Sequence, residues 1–179
     1  MTVTLVYETH ARTLDNERGR GTGWLPGELS AAGWENAREL GLRRRDDGLS
    51  VVFCSDLARA VQTVEIAFAG STIPVVLDRR LRECDYGSLN GAPVELVHSQ
   101  RLDHVDVPFP AGQSYEDVVV GVQSLLAELV RDHDGERVVL VGHAATRFAL
   151  DHLLAGRQLR EAIDAPFEWQ EGWTYRLER

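Results

Sequence analysis

The order of elements in this sequence predicts an α/β fold, a three-layer sandwich whose mostly parallel central sheet carries helices on both faces. Three observations lead there. Short apolar runs rich in Val and Leu, at Val3 to Tyr7, Val51 to Phe53 and Val138 to Val141, read as buried strands. Longer stretches with apolar residues every three to four positions follow them and read as helices. Strands that alternate with helices form a sheet covered on both sides. With 179 residues and 44% apolar content, the chain can build one continuous core, and its length predicts a single domain over residues 1–179.

Element by element, Thr2 to Tyr7 is the first strand, and the polar, Gly-rich stretch from Thr9 to Glu28 is too irregular to continue it. Function often sits on such a loop. Ser30 and Gly33 open a helix carried by Trp34, Ala37, Leu40 and Gly41. After the strand at Val51 to Phe53, Asp56 is the expected cap of a helix through Ala60, Val64 and Ala67 that stops near Gly70. Ile73 to Leu77 is a further strand. Arg80 to Gly112 reads as a long loop with one short helix, Val94 to Arg101, and a wall of a pocket. Ser114 caps a helix to Arg131 with Val118, Val122, Leu125 and Leu129 on one face; Asp117 fits the reciprocal cap less well than Glu would. Val138 to Val141 and Ala144 to Leu154 are the next strand and helix. Phe167 to Gln170 and Trp173 to Leu177, joined by Glu171 and Gly172, read as a closing hairpin. The four Trp residues, Trp24, Trp34, Trp169 and Trp173, are read as core before partner surface.

A formal net charge of -9 argues against a general nucleic-acid binder, because affinity for a phosphate backbone comes from surplus cations. All 19 basic residues are Arg, which suits bidentate oxyanion contacts, although a compositional bias of the coding sequence explains it more simply. Cys54 and Cys84 are too far apart in sequence for a paired metal motif and too few for a disulfide framework. No basic leader or long apolar span is present. A cytoplasmic protein with no membrane association is expected.

In an α/β sheet, ligands lie beyond the carboxyl ends of the strands, where helix N-termini also point. His10, the segment Cys54 to Asp56, and His143 all occupy such ends. Each alone reads as an ordinary surface or core-edge residue, as do Arg59 on its helix and Glu83 in its loop. Together they offer a chemistry. A neutral imidazole at His10 attacks phosphorus to form a phosphohistidine, Arg59 neutralises phosphoryl oxygens, His143 donates to the same oxygens, and Glu83 carries the proton. None of these steps calls for a metal or cofactor.

At these residues the chain resembles the histidine phosphatase superfamily, with its phosphoglycerate-mutase-like fold, over nearly its whole length. The family opens with Arg-His-Gly-Glu-Thr and then Asn, where this chain has Thr9-His10-Ala11-Arg12-Thr13 and Asn16. The likeness continues through Gly23-Trp24, Leu29-Ser30, Gly33 and Asn36-Ala37. Ser55-Asp56-Leu57 with Arg59-Ala60 and Gln62-Thr63 resembles the second signature. Leu81-Arg82-Glu83 with Gly87 and Asn90-Gly91 resembles the acid/base loop. Gly112-Gln113-Ser114 and Gly142-His143-Ala144 stand near the closing turns. The resemblance implies a phosphorylated nucleophile at His10, phosphoryl binding by Arg59 and His143, and a proton donor at Glu83. Thr9, Arg12, Thr13, Asn16, Arg20 and Ala144 would face the substrate. The chain departs from the pattern around His10: Thr9 stands where the family has a clamping Arg, Ala11 for Gly and Arg12 for Glu. Losing such a charge-assisted clamp costs about 2–5 kcal/mol, and Arg12, Arg18 or Arg20 is expected to restore the charge from the loop side.

The leading functional expectation is a metal-independent phosphomonoester hydrolase for a small soluble metabolite. A mutase fits less well, because the short connection between Leu77 and Ser114 leaves little to enclose an intermediate. Two alternatives follow from Thr9 and Arg12: a pathway-specific lyase, dehydratase or transferase on an anionic metabolite, and a non-catalytic metabolite-binding protein. Tyr86 and His98, with Arg12, Arg18 and Arg20, are placed at the pocket entrance. The C-terminal hairpin or an uncovered sheet edge offers a pairing surface for a homodimer.

Overall fold

In the computed structural model, which describes residues 2–178, the first strand β1 (Thr2–Thr9) runs two residues beyond its expected end and delivers the chain to His10. There follow α1 (Leu14–Glu17), β2 (Arg20–Gly21), α2 (Ala31–Arg44), β3 (Val51–Cys54), α3 (Ala58–Ala67) and β4 (Val75–Leu77). The second half holds β5 (Ala92–Pro93), α4 (Val94–Gln100), α5 (Tyr115–Asp132), β6 (Arg137–Gly142), α6 (Ala144–Ala155), α7 (Leu159–Asp164) and β7 (Trp173–Glu178). The main sheet has the order β4-β3-β6-β1-β7. Its first four strands are parallel and β7 runs antiparallel against β1. A small antiparallel pair, β2 with β5, stands apart.

Alternation along each strand sends side chains to opposite faces. Val3, Leu5 and Tyr7 join Val138 and Leu140 against Leu125, Leu129 and Phe148 of α5 and α6. Val6, Val139 and Val141 turn to the other face, against Leu40, Val64 and Phe68 beside α2 and α3. Each side chain of this kind contributes about 1.5–3 kcal/mol when fully buried. Because both faces are covered, the central strands read as continuous apolar runs, and the predicted fold class is the one observed.

Several elements depart from their sequence reading. The closing hairpin is absent: Phe167 to Gln170 is irregular, and β7 pairs instead with β1, from Thr2 opposite Glu178 to Tyr7 opposite Trp173. Without β7 that edge of β1 would present a row of unpaired backbone groups, and covering it outweighs a local turn. Asp56 does not cap α3. Leu57 is the N-cap residue without a side-chain bond, because the Asp56 carboxylate is held by Arg82 Nε and Nη2, both at 2.6 Å, a bidentate charged pair stronger than a neutral cap. The stretch from Thr9 to Glu28 contains α1, reciprocally capped by Thr13 and Asn16, and α7 has no counterpart in the sequence reading. Asp117 closes the α5 capping box after all, accepting from the Ser114 backbone N–H at 2.8 Å. The edge strand β4 is shorter than expected, with Val75, Val76 and Leu77 all exposed. Trp34 and Trp169 are also exposed rather than core. Cys54 and Cys84 are free and buried.

Candidate active site

The sheet register brings the two histidines together. Thr9 pairs with Gly142 across the β1–β6 ladder, and the His10 backbone N–H donates to the Gly142 carbonyl at 3.0 Å. The rings of His10 and His143 therefore lie 5.0 Å apart. Gly142 is required here, because a Cβ would fall 2.6 Å from Thr146 Oγ1 and 2.9 Å from Tyr7 Oη. The loop after His10 is anchored to α3, where Thr63 Oγ1 accepts the Ala11 N–H at 3.0 Å and donates to the Arg59 carbonyl at 2.7 Å. A second support comes from Gly33, whose missing side chain leaves room for the Arg12 carbonyl.

The His10 Nδ1 lies 2.7 Å from the Ala11 carbonyl oxygen. A carbonyl only accepts, so Nδ1 carries the proton and Nε2 keeps its lone pair. Burial, with the positive charge of Arg59 second, lowers the His10 pKa to about 3, so the ring is neutral. Arg59 is buried in the first turn of α3, and its Nη2 and Nη1 donate to the carbonyls of Gly23 at 2.9 Å and Leu25 at 3.3 Å. Glu83 is buried too. Its Oε1 accepts the N–H groups of Cys84 at 2.9 Å and Ala145 at 3.1 Å. Burial raises its pKa, against the lowering effect of those N–H groups and of Arg59. Arg82, paired to Asp56 and stacked over Trp24 at 4.6 Å, ties this loop to the β3–α3 connection, and Trp24 Nε1 donates to the Glu83 carbonyl at 2.7 Å.

One cavity of about 600 Å³ contains His10, Arg59, Glu83 and Ala144 on its wall, a size ordinary for a small-molecule site. Thr9, Arg12, Asn16 and Arg20 also line it, as do Tyr86 and His98 at the expected entrance. Two expected site residues do not. The Thr13 hydroxyl is buried as the N-cap of α1, accepting the Asn16 N–H at 3.0 Å, because an orphan helix N–H nearby is a stronger claim on it than solvent. His143 is completely buried beside His10. Its Nε2 lies 2.9 Å from Ser55 Oγ, and its Nδ1 has no hydrogen-bond partner among the described residues. Burial first, then Arg59 and His10, push its pKa well down. Arg18 lies outside the cavity wall, leaving Arg12 and Arg20 of the three expected substitutes, with Arg20 Nη1 held by the Gly91 carbonyl at 2.8 Å.

The sequence reading missed a further part of the cavity lining, formed by Glu8, Asn36, Leu40, Arg43, Phe167 and Trp169. Glu8 among them is buried, paired with Arg44 at 2.7 Å and Arg43 at 3.3 Å. A carboxylate inside an otherwise apolar strand was the signal available for it. Among the described residues, no group of three or more His, Cys, Asp or Glu side chains is placed to hold a metal ion, and no helix is long and apolar enough to cross a membrane.

Residues 9–171 match the family model described as histidine phosphatase superfamily (branch 1). A 2,3-bisphosphoglycerate-dependent phosphoglycerate mutase from Methylobacterium sp. (strain 4-46) is 30% identical over 171 positions, covering 85% of this chain and 80% of that one. Among solved structures, Bacillus stearothermophilus YhfR superposes with a TM-score of 0.82 at 26% identity, covering 94% of this chain and 88% of the other. A mycobacterial glucosyl-3-phosphoglycerate phosphatase in complex with VO3 gives 0.75 at 26% identity, covering 90% and 85%.

Proposed function

Since the chain belongs to the histidine phosphatase superfamily (branch 1), we propose that it is a metal-independent phosphomonoester hydrolase that acts on a small metabolite through a phosphohistidine at His10. The observation that carries this reading is the bond from His10 Nδ1–H to the Ala11 carbonyl, which leaves a neutral imidazole with its Nε2 lone pair available beside Arg59 and Glu83. Nε2 attacks phosphorus while the bond to the ester oxygen breaks, and the protonated Glu83 carboxyl gives that oxygen its proton. The resulting carboxylate then takes a proton from water as its oxygen attacks phosphorus, the N–P bond breaks, and inorganic phosphate leaves. Arg59 stabilises the equatorial oxygens. His143, whose buried Nδ1 has no partner among the described residues, donates to the same oxygens once Nε2 accepts from the Ser55 hydroxyl and Nδ1 carries the proton, and Arg12 and Arg20 take the part that Thr9 leaves open. Asn16 and Ala144 complete the substrate side.

The mutase relatives favour a second reading, in which the phosphohistidine returns its phosphoryl group to another hydroxyl of the substrate. Phosphate release from a mixed panel of phosphomonoesters at pH 5 to 8 with EDTA present, compared with His10→Ala, separates the two. Release that disappears in the variant supports hydrolysis; phosphoryl exchange without release supports the mutase; a product that keeps its phosphate supports the lyase, dehydratase or transferase; binding without turnover supports the non-catalytic protein. The exposed apolar edge of β4 supports the homodimer, and sedimentation equilibrium at the mass of one chain would overturn it.

A further inference from the structure

We propose that Arg43 is a specificity-determining residue that receives a second oxyanion, a carboxylate or phosphate on the non-reacting end of the substrate. The inference rests on the phosphatase reading and names the substrate class that reading leaves open: small phosphomonoesters bearing another anionic group.

Arg43 and Arg44 follow one another in the last turn of α2, yet their guanidiniums are employed differently. Arg44 is fully engaged. Its Nε donates to Glu8 at 2.7 Å, its Nη1 to Asp47 at 3.1 Å and its Nη2 to the Glu171 carbonyl at 2.8 Å. Arg43 makes one long contact, Nη2 to Glu8 Oε2 at 3.3 Å, and its buried Nε has no acceptor among the described residues. Arg43, unlike Arg44, lines the cavity that holds His10. One carboxylate thus faces two guanidiniums, and the guanidinium on the cavity side has donors to spare. Such a group presents its N–H donors as a rigid fork that matches carboxylate and phosphate.

Two further observations point the same way. The cavity wall carries Arg12, Arg20, Arg43 and Arg59 against Glu8 and Glu83, an excess of positive charge inside a chain of net charge -9. Cations concentrated in one cleft of an acidic protein attract a ligand with more negative charge than a single phosphate ester needs. Glu8, the partner of Arg43, stands two residues before His10 at the end of β1, a separation on the order of 7 Å along an extended chain and comparable to the span of one para-substituted phenyl ring. Phe167 and Trp169, both exposed, line the same cavity and offer apolar surface to the atoms between.

The test uses para-carboxyphenyl phosphate and para-carbamoylphenyl phosphate, near-isosteres that differ in charge at the non-reacting end. The ratio of kcat/KM, acid over amide, is measured for the natural chain, Arg43→Gln and Arg43→Lys. The amide has the better leaving group, so chemistry alone favours it. The expected ratio for the natural chain exceeds that for Arg43→Gln by roughly tenfold or more, the worth of one charge-assisted contact. Arg43→Lys falls between, and the change lies in KM. Taking the ratio within each protein cancels any general loss of folding or activity. An equal ratio in the natural chain and Arg43→Gln overturns the proposal. If neither ester releases phosphate, the phosphatase reading fails, and calorimetric binding of both esters to His10→Ala and to His10→Ala with Arg43→Gln decides. Tighter binding of the acid that disappears with Arg43 upholds the inference, and equal binding overturns it.

Discussion

Replacing Glu83 by Gln tests the proposed chemistry with little disturbance to the fold. Glu83 Oε1 accepts two backbone N–H groups, from Cys84 and Ala145, and a Gln side chain keeps a carbonyl oxygen for both. What it loses is the transferable proton. A positioned general acid is worth about 10²–10⁴ in rate, so turnover of an alkyl phosphomonoester should fall by that factor. An aryl ester such as para-nitrophenyl phosphate departs as a stable anion and needs no proton in the first step. Rapid quench of Glu83→Gln should then show a burst of nitrophenolate, one per site, followed by slow hydrolysis of the phosphohistidine for want of a base. The pH profile carries the same information. Burial raises the Glu83 pKa, and the first step needs the protonated form, so kcat/KM for alkyl esters declines as pH rises through that value. His10, with its pKa lowered to about 3, adds no rising limb between pH 5 and 8. For stability the sign follows from proton binding: a folded pKa above the unfolded one gives a contribution complete below the unfolded value and lost as pH rises through the folded one. Glu83→Gln should remove both slopes. Equal losses for alkyl and aryl esters with no burst, or an unchanged pH profile, would refute the assignment.

Three other perturbations probe the scaffold. Glu8→Gln leaves two guanidiniums over a neutral amide. Breaking a buried pair costs about 3–5 kcal/mol, and the partial exposure of Arg43 and Arg44, 19% and 13%, favours the lower end. At about 3 kcal/mol a chain of this size loses roughly 6–12 °C in Tm, and calorimetry showing almost no shift would contradict the burial argument. Thr63→Val deprives the buried Ala11 N–H of its acceptor, costing about 1–3 kcal/mol; urea midpoints should show the loss and Thr63→Ser should recover it. Gly33→Ala sets a methyl group where the Arg12 carbonyl lies, and overpacking of about 1–3 kcal/mol should accompany lower phosphatase turnover, since the loop carrying His10 must shift. Wild-type stability and turnover in this variant would show that the contact is soft.

Much of the sheet was legible because burial on both faces leaves a local mark: the runs at Val3 to Tyr7, Val51 to Phe53 and Val138 to Val141 are apolar throughout, and all three are central strands. His10 and His143 were legible for a related reason. Parallel strands end at one edge of a sheet, so polar residues just past two such runs converge there. Arg59 and Glu83 were reached through short motifs whose spacing survives in the local chain. The misreadings share a different cause. The Glu171-Gly172 turn looks like a hairpin until β1 offers β7 a longer ladder, and Asp56 looks like a cap until Arg82 arrives from 26 residues away.

By itself, then, the sequence determined the alternating α/β order, the strand ends at which His10 and His143 stand, and the side-chain types on which the proposed phosphoryl and proton transfers rest. These are properties of local periodicity and of side-chain type. Only the tertiary structure decided which hydroxyls and carboxylates are already engaged, that His143 is fully buried beside His10, and that Glu8, Arg43 and Trp169 line the same cavity as His10. Those outcomes depend on which partner reaches a polar group first across long stretches of chain. That competition is settled by burial and hydrogen-bond geometry, which no local pattern of residues encodes.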